Sequence, residues 1–165
     1  MKYKNFFLVT GGAGNIGSSL VKKLIINKDN YVFVIDNLVT GNKNKLPSIK
    51  HKNWKFIKVN TNDKSKFKKL YKIKKIDYVF HFAALVGVKR TLDNPLLVLQ
   101  DIEGFKHILD LCKKYKVKRV FFSSSSEVYG ESIKFPQKEE ITPLNSKLPY
   151  SVVKNLGEIF IKTYQ

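Results

Sequence analysis

The sequence predicts an α/β fold with a doubly wound parallel sheet, and three observations carry that reading. Short apolar runs alternate with stretches of helical period along the chain. A glycine-rich segment, Thr10-Gly11-Gly12-Ala13-Gly14-Asn15-Ile16-Gly17, stands at the first junction between the two. Notable stretches recur just past later apolar runs, at Asp36, at the small pair Ala83-Ala84 and over 123–127. Strands alternating with helices imply a parallel sheet covered on both faces. Such sheets bind ligands beyond the carboxyl ends of their strands.

The elements follow in order. Phe6-Phe7-Leu8-Val9 reads as a buried strand ending at Thr10, and Ile16, Leu20 and Leu24 mark one face of a helix reaching about Asn27. The second strand spans 31–35 and ends at Asp36. Residues 41–53 are polar, contain Pro47 and read as a loop with at most one helical turn. The alternating stretch 54–59 is a third strand, and Ser65 caps a short helix carrying Phe67, Leu70 and Tyr71 inward. Residues 77–82 form the fourth strand, with His81 read as a core histidine at its end. Pro95 opens a long helix whose inner face bears Leu99, Ile102, Leu109 and Cys112. Residues 117–122 form the fifth strand, 132–148 a loop over the site, and Pro149-Tyr150 opens a last helix with Leu156, Ile159 and Phe160.

Composition narrows the class. With 165 residues, 43% of them hydrophobic and 13% aromatic, the chain suits one folded domain with a real core. A single cysteine, Cys112, excludes an internal disulfide, and the three histidines show no ligand spacing, so no metal site is expected. No stretch has the length of a membrane span, and the basic start is followed by too short an apolar run for a signal peptide; the cytoplasm is the expected location. The formal net charge of +18 comes from lysines scattered over successive elements, with only Arg90 and Arg119 as arginines. That pattern fits a positive field attracting anionic small molecules better than a nucleic-acid reader.

The glycine segment is where the chemistry begins. Gly12, Gly14 and Gly17 fit the dinucleotide spacing G-x-G-x-x-G; Gly11, Gly14 and Gly17 fit the related G-x-x-G-x-x-G. Glycine permits the tight turn and lets the backbone approach a pyrophosphate, which meets free N–H groups at the helix start. Asp36, at the end of the second strand, can accept hydrogen bonds from both ribose hydroxyls of NAD and would repel the extra phosphate of NADP. Ala83-Ala84 are small enough for a flat group to lie close to the backbone. Tyr150 and Lys154, four apart on a helix, share a face. An ammonium group beside a tyrosine favours the phenolate, which can remove a hydroxyl proton while hydride leaves the same carbon. A serine at the end of the fifth strand could hold the reacting oxygen.

With these residues in place, the chain resembles the extended short-chain dehydrogenase/reductase family, the nucleotide-sugar epimerases and dehydratases of UDP-glucose 4-epimerase type. The resemblance rests on 10–17, Asp36-Asn37-Leu38, His81-Phe82-Ala83-Ala84, 123–130 and Tyr150-Ser151-Val152-Val153-Lys154, and covers essentially all of the chain. It implies a Rossmann domain over 1–165 and NAD as cofactor. It implies Ser125, Tyr150 and Lys154 as the catalytic set. It implies a cofactor site of Gly11, Gly14, Asn15, Ile16, Gly17, Asp36, Asn37, Asn60, Ala83, Ala84, Tyr150 and Lys154. Asn60, Asp101 and Val153 depart from the residues usual in the family. Glu127 matches a glutamate of the dehydratases and decarboxylases, whereas Ser126 stands where dehydratases carry an aspartate.

The expected function is therefore NAD-dependent epimerisation of a nucleotide sugar. Decarboxylation or dehydration of a nucleotide sugar, and a non-catalytic NAD-binding module, are the alternatives. The resemblance further implies a domain that stops before its last strands and the substrate domain. The expected partners are a nucleotide-sugar substrate and either a second copy of the chain or a missing C-terminal half, with no nucleic acid and no membrane.

Overall fold

Five parallel strands in the order β3-β2-β1-β4-β5 form the centre of the computed structural model, which describes residues 2–131 and 135–164. They are β1 (Asn5–Thr10), β2 (Asn30–Asp36), β3 (Trp54–Lys58), β4 (Tyr78–His81) and β5 (Arg119–Phe122). The helices are α1 (Asn15–Leu24), α2 (Lys64–Phe67), α3 (Val88–Asp93), α4 (Pro95–Leu99), α5 (Asp101–Tyr115) and α6 (Pro149–Thr163). Among the described residues, 3₁₀ turns lie at Lys43–Lys45, Lys68–Lys72 and Ser126–Tyr129. The order reverses direction at β1, so β1 and β4 separate the two windings and their ends face a common crevice.

The alternating pleat of the strands divides the core in two. Leu8, Ile35 and Val79 point to one face, where they pack with Phe67, Leu70, Ile108 and Leu111. Val9, Val32 and Val34 point to the other, against Val21 and Ile25. Both faces of the central strands are dry, which is why these strands read as continuous apolar runs. A third cluster, Val98, Phe105 and Val153 with Phe122 and Phe160 around it, joins α4, α5 and α6. Cys112 is buried in the first cluster, and burial pushes its thiol up to about 12, so it is an inert core group.

Several elements differ from expectation. Ile16 does not share the buried face of α1: it is 69% exposed, and Gly17, Ser18 and Val21 are buried instead. The face is set by how closely the helix start lies on the strand ends, where only a small residue fits. The short helix α2 is capped by Asp63, whose side chain accepts from Lys66 N, and Ser65 bonds to that aspartate. The helix expected from Pro95 is two, α4 and α5, meeting at Gln100; Val98 is fully buried there while Leu99 is 40% exposed. Helix α3 was not visible in the sequence because none of its residues is buried, so it has no apolar stripe. Residues 135–148 of the expected loop carry neither helix nor strand, and 132–134 lie outside the described residues.

The seat of α1 on the sheet depends on Gly17. A methyl group there would run into the Gly11 carbonyl oxygen and lie 2.8 Å from Gly12 Cα, both backbone atoms that cannot swing away. Gly17→Ala should lower unfolding stability by about 1–3 kcal/mol, the usual cost of overpacking a tight site. Urea denaturation measures this; an unchanged midpoint would mean that the α1 start is not held as tightly as the geometry states.

Candidate functional site

The β1–α1 turn is built by backbone contacts that exclude side chains. Gly11 has φ of +63°, and a Cβ on it would lie 2.8 Å from Ala83 N at the end of β4. Its carbonyl oxygen accepts from Gly14 N at 3.1 Å. Thr10, fully buried at the end of β1, faces His81 Nδ1 at 2.8 Å and accepts from Ala83 N at 3.1 Å. Burial, with the nearby Lys154 charge, lowers the His81 pKa to about 3, so the ring is neutral. The Thr10 hydroxyl and His81 Nδ1 share one hydrogen bond, and the Thr10 oxygen also takes the Ala83 N–H. This is the core histidine expected from its place in the strand.

Asp36 closes the other side of the turn. Its Oδ2 accepts from Ala13 N at 2.9 Å and its Oδ1 from Leu38 N at 2.7 Å. The carboxylate thus reaches back from β2 to the glycine segment, and only its remaining lone pairs face outward.

A cavity of about 650 Å³ opens over these strand ends. Every residue named above for cofactor binding lines it, from Gly11, Asn15 and Asp36 at one end to Tyr150 and Lys154 at the other. Ile16, exposed from the core, is among its walls. Ser123 and Ser124 line it too, whereas Ser125 is not among the lining residues; Ser125 Oγ accepts from Glu127 N at 3.2 Å and caps the turn Ser126–Tyr129. Asn62, Lys45 and Asp101 are among the lining residues not assigned to the site from the sequence. Asn62 and Lys45 stand in polar, lysine-rich runs, and Asp101 stands out in the sequence only as a departure from the family pattern; only the folded chain brings 45, 62 and 101 to one cavity.

Electrostatics distinguish the Tyr150 end. Lys154 is 3% exposed; its Nζ donates to the Ser123 carbonyl oxygen at 2.8 Å and lies 5.6 Å from the Tyr150 ring centroid. Burial lowers its pKa to about 8, opposed by the Asp101 carboxylate. Burial raises the Tyr150 pKa; a hydrogen bond with Ser125 pulls the other way, and the charges of Glu127 and Asp101 push it further up. Asp101 itself accepts from Leu85 N at 2.7 Å and from Asn62 Nδ2 at 2.9 Å, and burial raises its pKa. Both of its oxygens therefore take N–H donors, the pattern of an ionised carboxylate. Among the described residues, no group of three or more His, Cys, Asp or Glu side chains could hold a metal ion.

The sheet order, the glycine turn and the crevice over β1 and β4 define a Rossmann-like α/β domain of the doubly wound class. The chain belongs to the NAD dependent epimerase/dehydratase family, which it matches over residues 7–165. It is similar to a UDP-N-acetylglucosamine 4-epimerase from Methanobrevibacter ruminantium, solved in complex with UDP-N-acetylmuramic acid. That match has 40% identity and a TM-score of 0.86, and covers 99% of this chain and 51% of that one. A UDP-glucose 4-epimerase from Thermus thermophilus, solved in complex with NAD, is 32% identical with a TM-score of 0.84 over 96% of this chain and 50% of that one. A Methanocaldococcus jannaschii protein with a provisional UDP-glucose 4-epimerase name is 39% identical over 160 residues, which are 95% of this chain and 50% of that protein. The chain thus spans about half the length of these relatives.

Lys154 offers a direct test of the site's electrostatics. Its folded-state pKa of about 8 lies below the 10.5 of an unburied lysine. Between those values the unfolded state binds the extra proton, so the contribution of Lys154 to stability rises with pH across that window. Urea unfolding near pH 7 and near pH 10 should show the wild type gaining on Lys154→Met. Identical pH dependence in the two would mean that the ammonium group is not desolvated.

Proposed function

We propose that this chain is the cofactor half of an NAD-dependent nucleotide-sugar 4-epimerase acting on a UDP-sugar. The observation that carries the reading is the convergence of the glycine turn, Asp36, Tyr150 and Lys154 on one cavity. The cavity fits a dinucleotide: glycines leave open the space that Cβ atoms would fill, and its volume is that of a small-molecule cofactor site. The turn and the start of α1 would hold the diphosphate and Asp36 the adenosine ribose, with Ala83-Ala84 small enough to leave room for the dinucleotide.

Bound NAD would supply a hydride acceptor that later returns the hydride to the opposite face of the sugar. The protein's own groups move the proton. Tyr150 Oη takes it from the sugar hydroxyl and gives it back; Ser125 lies outside the cavity lining but hydrogen-bonds with Tyr150, and through that contact its hydroxyl would reach the reacting oxygen. The Lys154 ammonium group stabilises the Tyr150 phenolate. Burial alone works against that phenolate. The cation of Lys154 and the positive ring of oxidised NAD are the charges that offset it. The names of the relatives support epimerisation over the other chemistries of the family. Ser126, ahead of Glu127, lacks the carboxyl group that a dehydratase reading would need there.

Two measurements test the reading. Calorimetric titration of the purified chain should give tighter binding of NAD than of NADP; equal or tighter NADP binding would remove Asp36 from its role. In any form of the protein that epimerises a UDP-sugar, Tyr150→Phe should lower turnover roughly 10²–10⁴-fold and leave NAD affinity nearly unchanged. A variant of near-normal rate would sink the mechanism.

A further inference from the structure

We infer that Lys45 is a binding residue for the dinucleotide's diphosphate, its ammonium group taking a phosphate oxygen across from the start of α1. The inference rests on the dinucleotide reading of the same cavity and adds to it a side chain from the segment between β2 and β3.

Among the described residues, Lys45 and Lys154 are the two cations lining the cavity, one near each end. Lys154 is committed to the Ser123 carbonyl. Lys45 reaches the glycine end, where its Nζ lies 2.6 Å from Asn15 Oδ1 on the first residue of α1. Among the described residues no carboxylate comes within ion-pair range of Lys45. The first turn of α1 contains no acidic residue. A helix start and a lysine, both positive, therefore face each other with a neutral amide oxygen between them.

The backbone of Lys45 is tied to the glycine segment. Asn42 N donates to Ala13 O at 3.0 Å, and Asn42 Oδ1 accepts from Asn44 N at 2.9 Å. Lys45 N then donates to Asn42 O at 3.0 Å, which closes the 3₁₀ turn. Leu46, next in the chain, packs against the Val9–Val34 face of the core. One step earlier, Gly41 presses on Asp36, leaving 2.6 Å between the carboxylate Oδ1 and the place of a Cβ. The turn is thus registered on the site from both sides, and Lys45 is not a freely sampling surface lysine.

The ligand chemistry follows from the charges. The Asp36 carboxylate at this end is engaged by Ala13 N and Leu38 N, so a diphosphate brings the negative charge that faces Lys45 and the α1 start, and an ammonium–phosphate bond is charged on both sides where the Asn15 amide offers only a neutral acceptor. Asn15 holds the ammonium group where that oxygen would meet it. The position at Asn15 assigns the contact to the diphosphate and not to the ribose at Asp36.

Calorimetry on the purified chain tests the assignment with NAD, NADP, ADP and adenosine as probes. Lys45→Gln should weaken NAD, NADP and ADP by roughly tenfold and leave adenosine unchanged, while Lys45→Arg stays within about threefold of the wild type. Lys45→Gln should also flatten the salt dependence of ADP binding. Unchanged NAD affinity in Lys45→Gln would overturn the inference. An equal loss for adenosine would also overturn it, because the lysine would then act on the fold of the site. A loss confined to NADP would place the cation at the ribose 2′-phosphate and overturn it as well. If the wild type binds none of the four probes, the dinucleotide reading fails, and the Lys45 assignment falls with it.

Discussion

The close approach of backbone to backbone at the glycine turn is the constraint on which the rest of this structure depends. Gly11 abuts the end of β4, Gly12 lies against Val34 of β2, and Gly17 sits on the turn itself. A side chain at any of the three would push α1 off the strand ends or part β1 from a neighbour. Because none is present, the ends of β1, β2 and β4 meet within a few ångströms. The Thr10 and Asp36 side chains then stitch them by accepting from the backbone N–H groups of Ala83, Ala13 and Leu38. The cavity is the space left above those ends.

The other end of the cavity is governed by desolvation. Tyr150, Lys154 and Asp101 sit among apolar residues of α4, α5 and α6, and burial disfavours the charged form of each. Their mutual charges pull in different directions. Asp101 supports the ammonium form of Lys154 and opposes the phenolate of Tyr150. An aspartate at this place therefore favours a charged lysine and, with no ligand bound, a protonated tyrosine. A cationic ligand group near Tyr150 would offset the carboxylate's effect on the phenol. The chemistry proposed for the site is thus coupled to what fills it.

The positive charge of the chain has two distinct physical settings. Lys66, Lys89 and Lys106 pair with acidic neighbours one helical turn away and remain largely in water, where such pairs contribute little. Asp77, by contrast, is buried at the start of β4, accepts from Phe6 N and meets Lys75 and Lys118. That one carboxylate ties β1, β4 and the entry to β5 together at the end of the sheet opposite the cavity. Most lysines cover the fold; Lys154 and Lys45 are set into the cavity.

Fold class and strand positions were legible in the sequence because both faces of the central strands are dry. Residues 6–9, 31–35 and 78–81 are apolar or aromatic almost without a break, and nothing but a covered strand needs that. The glycine spacing, Asp36 and the Tyr150–Lys154 pair were legible for a related reason: tight turns, strand ends and helical repeats are local geometry. Burial on the helices was not local. Ile16 faces the cavity, Val98 is covered in place of Leu99, and α3 has no buried residue, because each depends on what another element places against it. The charge environment of the site was likewise decided only by folding. Lys45, Asn62 and Asp101 are far apart in the chain and unremarkable in type, and their effect comes from the low-dielectric cavity that brings them together.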